Sequence, residues 1–250
     1  MTYFPFPNAT RGRPGSGEVA TTCFAVPPQA LEYWAERLEK LNVHGLEYAT
    51  NFGEKKLHFQ GPDGDQFALI EAEDARAPWL GGGVANDVAI RGFHSASMRV
   101  QDAGATTELL TFMGYVNAGK DGPITRFHRP GGNGAHVIDV ETMPGCPVAD
   151  QGAGSVHHIA FAVENRAKQL EVRKALLDTG YQVTPVIDRD YFWAIYFRAP
   201  NGVLFEIATN EPGFDRDEDP KDLGHTLMLP SQHEHLRERL ESEILQPITD

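Results

Sequence analysis

Gly154-Ser-Val-His-His-Ile-Ala-Phe-Ala-Val163, a helical stretch at about 166–178, and Asp190-Tyr-Phe-Trp-Ala-Ile-Tyr-Phe-Arg-Ala-Pro-Asn-Gly-Val-Leu-Phe-Glu-Ile-Ala-Thr209 together decide how this chain folds. Strand alternation over 156–163 sends His157, Ile159, Phe161 and Val163 to one side and Val156, His158, Ala160 and Ala162 to the other. The bulky apolar side packs on the helix, which leaves His158 on the opposite, concave face beside small alanines. Pro200-Asn201-Gly202 suits a three-residue hairpin loop with glycine in the left-handed conformation, pairing Ala199 with Val203 and setting Tyr196 opposite Glu206. On that register Trp193, Ile195, Phe197, Val203, Phe205 and Ile207 form the helix-facing core, while Tyr196, Arg198, Leu204 and Glu206 share the concave face with His158.

Working outward, the same order of strand, helix and further strands recurs twice upstream. A strand at 19–26 is stopped by Pro27-Pro28, and Leu31, Trp34, Ala35, Leu38 and Leu41 then fall on one helix face. Strands at 56–60 and 67–71 flank the turn Gly61-Pro62-Asp63-Gly64-Asp65. A strand at 93–100, a helix at about 105–113 closed by Gly114-Tyr115, and a strand at 137–140 make the middle copy. Self-similarity at roughly sixty to seventy residues marks a repeated module, here βαβββ. The fold class is α+β, with three complete copies. Residues 2–6 form a short apolar strand, the remnant of an earlier module. The boundaries are a remnant strand and linker at 1–15, modules at 16–76, 91–145 and 146–210, a Gly-rich linker at 77–90, and an acidic tail with a C-terminal helix at 211–250. Residues 8–18 read as a linker, the connections 78–83 and 143–154 as flexible, and Ser231 as the cap of a terminal helix over 232–240.

The copies serve as controls for one another. Aligned on Val26 and Val163, the first copy has Thr21 at the position of His158 and Ala68 at that of Glu206. The middle copy has Ser95 and, near the second position, Asp139. His158 and Glu206 are therefore additions to one copy rather than requirements of the module.

With 22 Lys and Arg against 35 Asp and Glu, the net charge of −13 excludes a nucleic-acid or anionic-membrane surface. The absence of a long apolar run or signal segment places the chain in the cytoplasm. Cys23 and Cys146 lie far apart and outside any zinc-site spacing, so both read as ordinary reduced residues. Asp215, Asp217, Glu218 and Asp219 lack the glycine and the closing glutamate of a calcium loop, Thr226 standing at the last position, and read as a solvated acidic turn. His233 and His235 read as surface residues, and His94 and His157, equivalent in the repeat, as satisfied structural histidines.

Val156-His-His-Ile-Ala-Phe-Ala-Val163, Ile187-Asp-Arg-Asp-Tyr-Phe192 and the stretch from Ile195 to Thr209 closely resemble the ring-cleaving extradiol dioxygenases of the vicinal oxygen chelate superfamily, in the hydroquinone and chlorohydroquinone dioxygenase branch. The resemblance implies a metal, usually Fe(II) with Mn(II) as an alternative, held by two histidines and a glutamate. By it, His158 is the second histidine ligand and Glu206 the carboxylate ligand. Tyr196, Arg189 and His157 match positions that support the ligands or touch substrate. Two imidazoles and a carboxylate on one side of Fe(II) leave positions for a phenolate oxygen and for O2. The implied partners are a small aromatic substrate, hydroquinone- or catechol-like, and O2, without nucleic acid or membrane.

The family's first histidine comes from a first module of which this sequence matches only the last strand. The expectation is a subunit or fragment whose missing donor comes from a homo-oligomer, a partner chain, or a coding region lost to a late start codon. The competing classes are a metal-free small-molecule-binding protein of the same fold and a glyoxalase-like isomerase, the latter weakened by the single well-placed glutamate.

Overall fold

A computed structural model describes residues 1–4 and 6–245. It is a mixed α+β fold that divides into two compact units, Met1–Ile159 with Arg198–Leu204, and Ala160–Phe197 with Phe205–Asp250.

In the first unit the elements run β1 (Glu18–Val26), α1 (Leu31–Lys40), β2 (Glu47–Asn51), β3 (Glu54–Gln60), β4 (Gln66–Glu71), β5 (Gly92–Val100), α2 (Gly104–Phe112), β6 (Val116–Asp121), β7 (Ile124–His128) and β8 (Val137–Thr142). They build one eight-stranded sheet in the order β2-β3-β4-β1-β5-β8-β7-β6. Each opening strand runs parallel to the last strand of its own set, β1 with β4 and β5 with β8. The two opening strands pair antiparallel with each other and so join the two sets. Most of the helix stripe forms: Leu31, Trp34 and Leu38 are buried with Val26, Leu57 and Leu69, and the Trp34 indole donates to the Val88 carbonyl at 2.7 Å, while Leu41 lies past the helix end and is exposed.

The second sheet holds β9 (Ile159–Val163), β10 (Ile187–Asp188), β11 (Phe192–Arg198) and β12 (Leu204–Pro212) in the order β10-β11-β12-β9, with α3 (Arg166–Asp178) between β9 and β10 in the chain. Asn165 caps α3 by accepting from the Lys168 N–H at 2.9 Å. Gln169 of α3, fully buried, donates from Nε2 to the carbonyls of Trp193 and Ile207 at 2.7 and 2.8 Å. That places the helix over the face of Ile195, Phe197, Phe205 and Ile207, all buried.

Three expectations change. Residues 2–4 and 6 are in no strand, because an isolated extended segment has no ladder to join; Pro5 lies outside the described residues. The opening strand of the third set starts at Ile159 rather than at Val156. The terminal helix expected over 232–240 is broken into a 3-10 turn at Ser231–Leu236, one short turn at Arg237–Arg239 and a wider turn at Leu240–Ile244. Ser231 does not cap it; its N–H and hydroxyl donate to the Asp190 carboxylate at 2.8 and 3.1 Å.

The connections at 8–18 and 143–154 are not free. Backbone bonds lace them together, from Arg13 N–H to Asp150 O at 2.8 Å and from Ala153 N–H to Thr10 O at 2.9 Å. A Cβ at Gly15 would stand 2.4 Å from the Pro147 oxygen, so its glycine serves close backbone approach rather than flexibility.

Cys23 is 3% exposed, and burial pushes its thiol up to about 11, whereas Cys146 is partly exposed. A thiol reagent at pH 8 is expected to modify Cys146 in the native protein and to reach Cys23 only after unfolding, as read by intact-mass spectrometry.

Candidate functional site

The hairpin register predicted from the loop is the one observed. The Ala199 N–H donates to the Val203 carbonyl at 2.9 Å, and Gly202 has φ +95. Tyr196 and Glu206 consequently meet in the second unit. The phenol donates to the Glu206 carboxylate, and the Arg189 guanidinium, 6.0 Å from the ring centroid, donates to the phenol oxygen. Burial pushes the Tyr196 hydroxyl above its ordinary value of 10.0, the Arg189 hydrogen bond opposes the shift, and the charge of Glu206 adds to it. Tyr196 is therefore a protonated phenol at neutral pH. Glu206 is 3% exposed, a carboxylate taken almost wholly out of water.

His157 and His158 lie in the first unit, just ahead of β9. Their Nδ1 atoms are 2.8 Å apart, so one ring donates and the other accepts. That contact restrains the orientation of the His158 ring. The Phe4 ring lies against both, 5.5 Å from His157 and 6.3 Å from His158. The sequence-predicted site residues thus form two groups, Arg189 with Tyr196 and Glu206, and His157 with His158.

An imidazole and a buried carboxylate suit a divalent transition metal by donor chemistry. Among the described residues no group of three His, Cys, Asp or Glu is placed to hold a metal ion. Also among the described residues, no helix is long and apolar enough to cross a membrane.

A second polar cluster, of which the sequence expectations named only His94, Ser95 and Asp139, lies in the first unit. Arg126 of β7 makes a two-pronged contact with Asp139 of β8 at 2.8 and 2.9 Å and reaches Glu54 of β3 at 2.7 Å. Lys56 stands 3.9 Å from Asp139 with its side chain 6% exposed. His94 is held at both ends, Nε2 3.3 Å from Glu54 and Nδ1 3.0 Å from the Ser95 hydroxyl, as a satisfied structural histidine should be. Where the third strand set carries Glu206, this pair of sets carries an ion-pair network. The signal for it was charge at inward positions of three strands distant in sequence.

Burial works against ionisation of Glu54, but hydrogen bonds and charge from His94 and Arg126 outweigh it and hold the carboxyl down to about 2, against an ordinary 4.5. A depressed carboxyl contributes stability above its unfolded value and loses it as pH falls through its folded one. The unfolding free energy is expected to fall between about pH 4.5 and pH 2, and Glu54→Gln to flatten that part of the curve, as checked by urea unfolding at several pH values.

Glu218 accepts from the Thr226 hydroxyl at 2.7 Å in the acidic turn, and His233 and His235 are exposed.

With these elements and groups in view, the chain belongs to the Glyoxalase/Bleomycin resistance protein/Dioxygenase superfamily, which it matches over residues 35–207. Within it the chain falls beside ring-cleaving dioxygenases. It is 40% identical to the candidate ring-cleaving dioxygenase MhqO of Bacillus subtilis over 98% of this chain and 78% of the relative. It is 34% identical to the chlorohydroquinone/hydroquinone 1,2-dioxygenase of Sphingobium indicum over 99% of this chain and 79% of the relative. A crystal structure of a candidate Bacillus subtilis dioxygenase superposes with a TM-score of 0.89 at 40% identity, covering 98% of this chain and 79% of that one. Glyoxalase I from Zea mays shares the fold, with a TM-score of 0.58 at 17% identity over 81% of this chain and 69% of that one.

Proposed function

We propose that this chain is a metal-dependent, extradiol-type ring-cleaving dioxygenase, or a subunit of one, acting with O2 on hydroquinone- or catechol-like aromatics. The observation that carries the reading is the buried Glu206 beside the half-buried Tyr196 and the exposed Arg189, set in a chain whose relatives bear dioxygenase names. We read the three strand–helix–strand sets as three βαβββ modules and residues 1–15 as what belongs to a fourth. His158 and Glu206 are the metal donors of this chain, Fe(II) is the favoured metal, and a further donor comes from outside the set.

Fe(II), when bound, supplies the electron exchange between an aromatic ring and O2 that neither partner manages alone. The residues present divide the remaining work. Arg189 places a fixed positive charge where a phenolate oxygen of the substrate needs a partner. Tyr196 stays protonated and holds a proton at its hydroxyl for the oxygen that gains charge as the ring opens. The Nδ1 contact from His157 keeps the His158 ring in one orientation.

Tyr196→Phe is expected to lower ring cleavage by about 10- to 100-fold with folding intact. Oxygen uptake on hydroquinone and catechol by the iron-supplied protein tests the function itself. Uptake that depends on iron supports it. Ligand binding that survives metal removal and both His158→Ala and Glu206→Ala, without uptake, would favour a metal-free binding protein instead.

A further inference from the structure

One turn of the second unit is held in a conformation that a free chain avoids, and it is the turn that carries Arg189. Residues 189–191 join β10 to β11. At their centre Asp190 has φ +64, alone among the described non-glycine residues of that unit in having a positive φ. The Tyr191 N–H donates back to the Arg189 carbonyl at 2.8 Å, which closes a three-residue turn about Asp190. Such a turn, with positive φ at its centre, is rare and strained. Strain of this kind persists only where the surrounding structure imposes it.

Every polar group of Asp190 is engaged. Its N–H donates to the Asp188 carboxylate at 2.8 Å, and its carbonyl accepts from the Arg216 guanidinium at 2.8 Å. Its carboxylate accepts the Ser231 N–H on one oxygen and the Ser231 hydroxyl on the other, at 2.8 and 3.1 Å. Arg216 and Ser231 belong to the segment that follows β12, 26 and 41 residues further along the chain. The same segment grips the next residue of the turn: the Gly213 N–H donates to the Tyr191 carbonyl at 3.0 Å, and the Phe214 ring stacks on Tyr191 at 5.5 Å. Phe214, Arg216 and Ser231 are exposed, so directed hydrogen bonds and a ring stack, not a shared core, tie the segment to the turn.

Arg189 is the residue that gains from this hold. It is exposed, and a long side chain in water gives up rotamer freedom when it is kept in one direction. Its guanidinium nonetheless reaches the Tyr196 phenol. A backbone fixed at its root, by the Arg189 N–H on the Phe192 carbonyl at 2.9 Å and by the turn about Asp190, narrows the directions open to it.

We propose that Asp190 is a positioning residue, and that Ser231 and Arg216, by latching it, hold the strained turn that aims Arg189 at Tyr196 and at a substrate oxygen. The segment after β12 thereby sets substrate affinity through the turn. The effect on affinity rests on the role of Arg189 given above; the latch on the turn does not.

Oxygen uptake on hydroquinone by the iron-supplied full chain, and limited trypsin digestion of the same protein, test the two parts. Asp190→Gly relieves the backbone and removes the carboxylate. Ser231→Pro removes both donors to that carboxylate, suits the first position of a helical turn, and leaves the Arg189–Asp190 bond as it is. Each is expected to raise KM about 10-fold with kcat held within about 3-fold, the pattern of a lost binding contact rather than of lost folded protein. Trypsin is expected to cut Ser231→Pro after Arg189 at least about 10-fold faster than the unaltered chain, as read by intact mass. Asp190→Asn, which tolerates the left-handed region and keeps an acceptor, should stay near the unaltered values. Glu243→Ala, which breaks the ion pair with Arg239 in the same segment, should change neither. An unchanged KM in both Asp190→Gly and Ser231→Pro, or a fall in kcat alone, overturns the proposal, as does unchanged cutting after Arg189. Faster cutting of Ser231→Pro with no oxygen uptake by the unaltered protein refutes the dioxygenase reading and leaves the latch standing.

Discussion

Arg126→Ala is expected to destabilise the protein by about 3–5 kcal/mol, because it leaves Asp139 buried and charged without its two-pronged partner. The Asp139 side chain is 4% exposed and that of Arg126 10%, so water cannot replace what is removed. Lys56 at 3.9 Å is too distant for a short hydrogen bond and compensates only in part. Arg126 also ties β7 to Glu54 of β3, so its loss loosens both halves of the eight-stranded sheet. Asp139→Ala in the same chain should recover much of the cost, since neither charge is then stranded. Urea unfolding of the two single variants and the double variant measures this as a coupling energy, and additive losses would deny the pair its role.

Glu206→Ala is the second large effect. Under the proposed function it removes the carboxylate donor and leaves the Tyr196 phenol without the acceptor it now has. Removing a supporting partner of a metal ligand typically costs 10- to 100-fold in metal affinity, so loss of the ligand itself is expected to cost at least about 100-fold, with ring cleavage falling in parallel. A Co(II) or Fe(II) titration on the folded variant reads the first quantity, and oxygen uptake the second. Glu206→Gln, which keeps the shape, separates lost charge from lost packing: it should fold like the unaltered chain and still fail to bind metal.

Both the legible and the illegible parts have physical reasons. A period-two pattern needs only local sterics, so alternation along the hairpin strands and the Pro200-Asn201-Gly202 loop sufficed to bring Tyr196 and Glu206 together, whereas 156–158 are in no strand and His157 and His158, expected on opposite faces, touch each other. The length of β9 was not legible, because strand extent depends on a neighbour's ladder and not on the strand's own residues. The network of Lys56, Glu54, Arg126 and Asp139 escaped for a similar reason: each charge alone reads as a solvated strand position, and only the sheet order brings β3, β7 and β8 to the same interior. Glycines at 12, 15 and 152 belong to stretches read as connections, yet each sits where a side chain would collide with backbone. Ser231 matched a cap motif, but Asp190 offered it a better partner.

The most direct test of the proposed activity is the fate of isotopic oxygen. The iron-supplied protein is incubated with hydroquinone under ¹⁸O₂, and the product is read by mass spectrometry beside that of Glu206→Ala. A ring-opened product labelled from O2, formed by the unaltered protein and absent with the variant, is the predicted result. An intact ring, an unlabelled product, or equal product from Glu206→Ala would contradict it.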